Sequence, residues 1–257
     1  MNVPKIMDEE SKRPRIERVR HELKRRLLQV ESVARLTPGM LRITFSGEEF
    51  SDFVSLAPDD HVKISVPTAS GEFERRDYTP RRYDPQARTL AIDFVVHDAG
   101  PVTRWALDPR PGDTLQVGGP RGSAVISSEI GRWLLIGDET ALPAISRRIE
   151  EAETGAYITS IAAVTGPQEH QSFDTRADLA ALWAHRPLSA GNDPSALLSV
   201  IATIDVRPET FVWIAAEATV ARAARAYLVA ERGHPLSWIK ASGYWLKGKA
   251  NADEKLD

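Results

Sequence analysis

The hydrophobic pattern of this chain changes once along its length, and that change dictates the architecture. From Arg26 to about Val125, short apolar runs are punctuated by Pro, Gly and Asp. Beyond Gly122-Ser123 the apolar residues come in unbroken runs followed by helical patterns. In the first half, Leu27–Val33 and Met40–Phe45 flank Thr37-Pro38-Gly39, a turn built on proline's fixed φ and glycine's freedom. His61–Pro67 follows, then a turn at Ala69-Ser70-Gly71, the segment Arg75–Pro80, Thr89–His97 and Asp113–Pro120. About six short strands spaced in this way read as a small antiparallel barrel. A single helix opens at Gly100-Pro101, since proline suits a first helical turn.

In the second half, Arg132–Gly137 has the continuous apolarity of a strand covered on both faces. A helix opens in Asp138–Ile145 and runs to about Thr154; Tyr157–Val164 and Phe211–Ala216 are further buried strands, and Ala218–Glu231 is an amphipathic helix. His185–Ser195 reads as loop. The expected fold is therefore an antiparallel six-stranded barrel followed by a parallel-sheet, nucleotide-binding-like α/β domain. The corresponding extents are a basic N-terminal extension over 1–25, the barrel over 26–126 and the α/β domain over 127–257. Arg15–Arg25 has a helical pattern, and the extension as a whole reads as a solvated, partly frayed tail.

Composition narrows the function classes. The net charge of -3 over 257 residues gives no polyelectrolyte character, so nucleic acid is not an expected partner. The longest apolar runs are too short to cross a bilayer and the N-terminus lacks the apolar stretch of a signal peptide, so neither membrane insertion nor secretion is expected. The chain has no cysteine, which removes thiolate catalysis, disulfides and cysteine-held iron–sulfur clusters. Its six histidines are dispersed, and no structural metal site is expected.

Four stretches carry chemistry. In Arg76-Asp77-Tyr78-Thr79-Pro80, Arg76 offers a planar fork of donors for a phosphate, Tyr78 a flat amphipathic face and Thr79 a hydroxyl. Strand alternation is expected to turn these three the same way, a phosphate clamp beside an aromatic wall. The same residues taken alone also suit an ordinary edge strand. Gly100-Pro101-Val102-Thr103 can present N–H groups and a hydroxyl to an anion at a helix start. Gly137-Asp138-Glu139-Thr140-Ala141 follows a buried strand where α/β domains bind nucleotides, although it lacks Gly-x-Gly-x-x-Gly and carries two acids. Gly243-Tyr244-Trp245-Leu246-Lys247-Gly248 places two aromatics near the terminus, able either to cover a ring or to anchor the tail. Glu217 and Asp138 read as caps or hydrogen-bond partners before acid–base groups.

With His61-Val62-Lys63, Asp93-Phe94-Val95-Val96-His97, Thr103-Arg104-Trp105-Ala106 and Gly119-Pro120-Arg121-Gly122-Ser123, these stretches closely resemble the siderophore-interacting proteins. Those are FAD-dependent ferric-siderophore reductases of the ferredoxin-NADP reductase superfamily, and the resemblance spans about Leu27 to Gly248. It implies that Arg76, Tyr78 and Thr79 hold the flavin and its phosphate. The region of Asp93, Phe94, Val95 and His97, with Pro101, Val102 and Thr103, would line the isoalloxazine and diphosphate, with Tyr244 and Trp245 covering the ring. Gly137, Asp138, Glu139, Thr140 and Ala141 would meet NADH or NADPH, and Lys63, Arg121 and Lys247 an anionic ferric siderophore. Where the family commonly has arginine after Tyr-Trp, this chain has Leu246-Lys247. A cytoplasmic reaction with NAD(P)H or a ferredoxin as donor is implied, and a flavin is the converter needed between a two-electron donor and one-electron Fe(III).

Overall fold

The computed structural model of the chain describes residues 14–68, 71–97, 100–127, 129–249 and 254–256. Its first sheet holds seven strands, β2 (Arg25–Thr37), β3 (Met40–Ser46), β4 (Val62–Pro67), β5 (Phe73–Tyr78), β6 (Arg82–Asp84), β7 (Thr89–Val95) and β8 (Thr114–Gly118). They run in the order β5-β4-β8-β2-β3-β7-β6, every neighbouring pair antiparallel. The strand beyond the six expected is β6, three residues long and too short to show an alternation. Leu28, Val30, Ile43, Phe45, Val62, Ile64, Leu90, Ile92, Leu115 and Val117 point into one core, all at most 2% exposed. The helix α1 (Pro101–Leu107) lays Val102 and Ala106 against that core, touching β3, β4, β5 and β7.

The second sheet is parallel from β12 (Asp178–His185) through β11 (Tyr157–Val164), β10 (Arg132–Asp138) and β13 (Phe211–Glu217) to β14 (Ile239–Trp245). A two-residue strand, β15 (Glu254–Lys255), adds antiparallel to β14. In chain order the parallel strands lie 3-2-1-4-5, so the topological switch falls between β10 and β13, where open α/β sheets bind ligands. The helices α3 (Ser195–Ile201) and α4 (Ala218–Ala230) cover one face of the sheet, and α2 (Leu142–Glu150) covers the other. Both faces being covered explains the unbroken apolar runs of β10 and β13. Among the described residues no helix is long and apolar enough to cross a membrane.

Several expectations are corrected. Residues 16–20 are not helical: they form β1 (Ile16–Arg20), paired antiparallel with β9 (Gly122–Ile126) in a small separate sheet. The described end of the N-terminal extension is thus tied down rather than frayed, because β9 offers a ladder of backbone partners that a propensity reading cannot see. Residues 1–13, and the turn residues Ala69 and Ser70, lie outside the described residues. The end of the expected 185–195 loop begins α3, and two strands are added to those expected, β14 and β12, the latter at the sheet edge with only Ala184 fully buried.

The two sheets meet through α2 and a largely polar junction. The buried Arg147 donates from Nη1 to Ser55 Oγ at 3.0 Å and to the Pro80 carbonyl at 3.0 Å. Arg81 reaches Glu150 at 2.5 Å. Asp59 accepts from Lys240 Nζ at 2.5 Å and from the Trp213 indole at 3.2 Å. Glu169 accepts from Thr37 Oγ1 at 2.5 Å and from the Gly39 amide at 3.1 Å. Met40 adds an apolar contact to Leu142, Ala162 and Val164. Each carboxylate belongs to one sheet's side and its donor to the other, so the pairs specify one docking arrangement.

Two tests follow from these elements. A Cβ on Gly137 would lie 2.6 Å from Ala141 Cβ and 2.8 Å from the Ala215 carbonyl, so α2 rests directly on β10 there. Gly137→Ala is expected to destabilise by about 1–3 kcal/mol through overpacking, read as a lower urea midpoint at unchanged slope. At the start of β2, Arg26 and then Lys24 bond Asp52 and hold its carboxyl down to about 2 from its usual 3.8. A depressed folded value means the stabilisation is present above about pH 4 and is lost as pH falls towards 2. Asp52→Asn is therefore expected to be less stable than wild type at pH 5, the gap closing by pH 2 in denaturation series.

Candidate functional site

The edge strand β5 sorts its side chains onto two faces. Glu74, Arg76 and Tyr78 are half-buried on one side, while Phe73, Arg75 and Asp77 are exposed on the other. Strict alternation sends Thr79 away from Tyr78's direction, and the strand has ended by then; Thr79 is buried beside Pro80 at the bend. Arg76 and Tyr78 thus share a face as the sequence implied, and Thr79 departs from it. Tyr78 packs on Phe94, with ring centroids 4.6 Å apart, and burial raises its hydroxyl above the ordinary tyrosine value.

Across from this face stands the start of α1. Gly100 caps the helix with Pro101 in its first turn, and a Cβ on Gly100 would lie 3.1 Å from Glu74 Oε1. The Glu74 carboxylate also bonds Arg76 Nη2 at 2.5 Å. The carboxylate therefore lies between the guanidinium and the glycine, in a cradle that a side chain at position 100 would fill. Val102 and Thr103 are buried in the first turn of α1. Phe94 belongs to the barrel core, Val95 faces the junction, and His97 is exposed beyond the end of β7. Asp93 is committed to the fold: it takes a bidentate pair from Arg42 at 2.7 and 2.8 Å. Its buried oxygens need those donors, which leaves it no free edge for a ligand.

The switch point of the parallel sheet is built around Asp138, 2% exposed. Its Oδ1 accepts from the Thr140 amide at 2.9 Å and from Thr140 Oγ1 at 2.5 Å. Its Oδ2 accepts from the Glu217 amide and from the Trp245 indole, both at 2.9 Å. Glu217 caps α4 through the Thr219 and Val220 amides and accepts from the Lys247 amide. Glu139 forms a bidentate pair with Arg186, at 2.6 and 3.2 Å, and burial together with the neighbouring Asp138 raises its carboxyl. Gly137 and Ala141 are packing positions beneath α2. The Trp245 ring lies on Gly191, where a Cβ would come within 2.9 Å of it. Tyr244 packs edge-on to Trp213. Both C-terminal aromatics are anchored, one by a hydrogen bond and one by packing.

On the opposite, exposed face of β5 a cleft of about 320 Å³ opens over β4, β8 and the start of β2. Lys63 and Arg121 both line it, and Lys63 is paired with Asp77 at 2.8 Å. Lys247 does not join them: its ammonium bonds the Ser189 carbonyl at 2.5 Å and Asn192 Oδ1 at 3.0 Å. Among the lining residues that the sequence did not assign to this site are Leu23, Arg25 and Arg75. Arg75 was legible from alternation, being one residue out of phase with Arg76; Leu23 and Arg25 had been read as extension.

A barrel-like antiparallel sheet joined to a 3-2-1-4-5 parallel sheet is the fold of the ferredoxin reductases. The ferredoxin reductase of carbazole 1,9a-dioxygenase shares it at TM-score 0.64 and 17% identity, over 84% of this chain and 68% of that one. Family models place the chain more narrowly. The siderophore-interacting FAD-binding domain matches residues 29–75 and 72–124, and the siderophore-interacting protein model matches 131–248. The chain belongs to the siderophore-interacting protein family. It is 31% identical over 251 residues to the NADPH-dependent ferric-chelate reductase of Escherichia coli K12, covering 89% of this chain and 96% of that one. The crystal structure of a siderophore utilization protein from T. fusca superposes at TM-score 0.84 with 37% identity, over 93% of this chain and 98% of that one.

Replacing Asp138 with alanine strands four donors at the switch point. Asp138→Ala is expected to cost about 2–4 kcal/mol, mostly the penalty of unsatisfied buried groups. Chemical denaturation checks the loss, and Asp138→Asn, which retains an acceptor, should recover part of it.

Proposed function

We propose that the protein is an FAD-dependent oxidoreductase that reduces the iron of a ferric siderophore with electrons from NADPH or NADH, releasing Fe(II) from the weakened chelate. The observation that carries this reading is the family match across both sheets, joined to a flavin motif whose cation and aromatic share one face of an edge strand. Hard oxygen donors hold Fe(III) better than Fe(II), so reduction is itself the release step. The reaction is proposed for the cytoplasm, the compartment that supplies reduced nicotinamides.

The residues fit FAD. Arg76 and the Gly100 turn already converge on the Glu74 carboxylate, the kind of anion a diphosphate oxygen would replace. In this reading Arg76 binds the phosphate, Tyr78 and Thr79 position the ring system, and Pro101, Val102 and Thr103 shape the wall opposite. His97, past the end of β7, borders the same space in this reading, whereas Val95 packs at the junction. FAD, when bound, accepts a two-electron hydride equivalent and delivers electrons singly. Lys63 and Arg121 draw the anionic ferric complex to the other side of β5, and Lys247 orders the 188–192 loop. Gly137–Ala141 would meet the nicotinamide nucleotide at the switch point.

A ferredoxin as donor is the second reading, favoured by one observation. The switch point gathers the carboxyl groups of Asp138 and Glu217, with the Trp245 indole bonded to Asp138, an arrangement that disfavours a nucleotide's phosphates. Anaerobic titration separates the two. Bleaching of the bound flavin's absorption by NADPH or NADH, with recovery on adding ferric siderophore, supports the first. A flavin indifferent to both nicotinamides but reduced by a ferredoxin supports the second. Arg76→Ala is expected to weaken FAD binding by about 10–100-fold, followed by flavin fluorescence. Retention of FAD at wild-type affinity would remove Arg76 from the site.

A further inference from the structure

The cleft behind the flavin motif gathers four cationic side chains. Arg25, Lys63, Arg75 and Arg121 line it against a single carboxylate, Asp77, a formal balance of +3. Asp77 is already engaged with Lys63, so three guanidinium groups face the concave surface without an acid among the lining residues to neutralise them. Like charges gathered in a recess raise its potential, because low-dielectric walls focus the field. Their mutual repulsion is relieved when a polyanion enters.

Beside the polar lining residues His61, Ser65 and Gln116, two large apolar side chains stand exposed. Leu23, which lines the cleft, is 55% exposed; Phe73, on the same face of β5 as Arg75, is 57% exposed. The floor is low at Gly118, which pairs with Lys63 on one side and Arg25 on the other and brings no side chain. Guanidinium planes beside apolar side chains bind flat aromatic anions, stacking on the ring while pairing with its oxygens.

We propose that this cleft binds a trianionic ferric tris-catecholate in preference to a neutral ferric tris-hydroxamate, and that Arg75, Arg25 and Leu23 set the preference. The proposal rests on the ferric-siderophore reading above and names the substrate class within it. A tris-catecholate matches the charge of the cleft and offers its rings to the guanidinium planes and to Leu23, whereas a tris-hydroxamate, neutral and aliphatic, gains from neither. Leu23 and Arg25 precede residue 29, where the family-model match begins, and Arg25 is held over the cleft by the pairing of β2 with β8.

The test uses the full-length, FAD-loaded protein and gallium(III) complexes of a hexadentate tris-catechol and a hexadentate tris-hydroxamate, which keep charge and shape but cannot be reduced. Calorimetry at low salt is expected to show the catecholate bound at least tenfold tighter. Arg75→Ser and Arg25→Ser should each weaken it by about fivefold or more, steeply dependent on salt, and leave the hydroxamate as it was. Leu23→Ala should weaken it by a smaller factor that salt does not change. Bound FAD and the melting temperature of each variant report that it is folded. Arg207→Ser, an exposed arginine elsewhere, removes the same charge and should change nothing. Equal affinity for the two complexes, or an Arg207→Ser loss as large as that of Arg75→Ser, overturns the proposal. Wild-type protein that binds the catecholate selectively but fails to pass electrons from any donor to a neutral quinone would sink the reductase reading and leave the cleft assignment standing.

Discussion

Everything at the carboxyl edge of the parallel sheet depends on one buried carboxylate. Asp138 ends β10, yet its two oxygens gather donors from the turn that follows, from the end of β13 and from the indole at the end of β14. Three strands that meet at a topological switch would otherwise leave backbone and side-chain groups unpaired in a dry interior. A charged acceptor with four donors satisfies them together, which is the condition under which a buried charge is tolerated. Glu217 repeats the arrangement one strand over, capping α4 and holding the Lys247 amide. The two acids are thus the frame of the crevice, and their chemistry is spent on shape.

The junction between the sheets follows a related logic. Helix α2 buries Ile145 and Ile149 towards its own sheet and turns Arg147 and Glu150 towards the barrel. A hydrophobic seam alone would allow sliding, whereas paired groups with fixed geometry favour one register. That register sets how the cradle at Gly100 and Arg76 stands relative to the switch point.

Much of this was legible in the sequence, and the exceptions share a cause. The change from alternating to continuous apolarity located both sheets, because burial on one face or two writes directly into the pattern. The face shared by Arg76 and Tyr78 on β5 and the helix at Gly100 were readable from local chemistry. What escaped was whatever depends on a distant partner. β1 is a strand only because β9 lies beside it. Tyr244 and Trp245 sit in a strand because β13 offers its edge, and Lys247 is drawn to residues 189 and 192 instead of to Lys63. His170 and His185, dispersed in sequence, meet with Nε2 atoms 2.8 Å apart at the end of β12. Thr79 was misplaced for a plainer reason, since a two-residue period cannot put neighbours on one side.

The two arginines at the centre of β5 are adjacent in sequence and opposite in direction, one turned to Glu74 and the Gly100 turn and the other to the cleft. A single strand is thereby the partition between two recesses, with parity alone deciding which side each residue faces. Substitutions in β5 change one side at a time, so under the proposed roles cofactor retention and substrate choice diverge independently. Inserting or deleting one residue exchanges the two sets wholesale, so this segment can drift in composition but not in length.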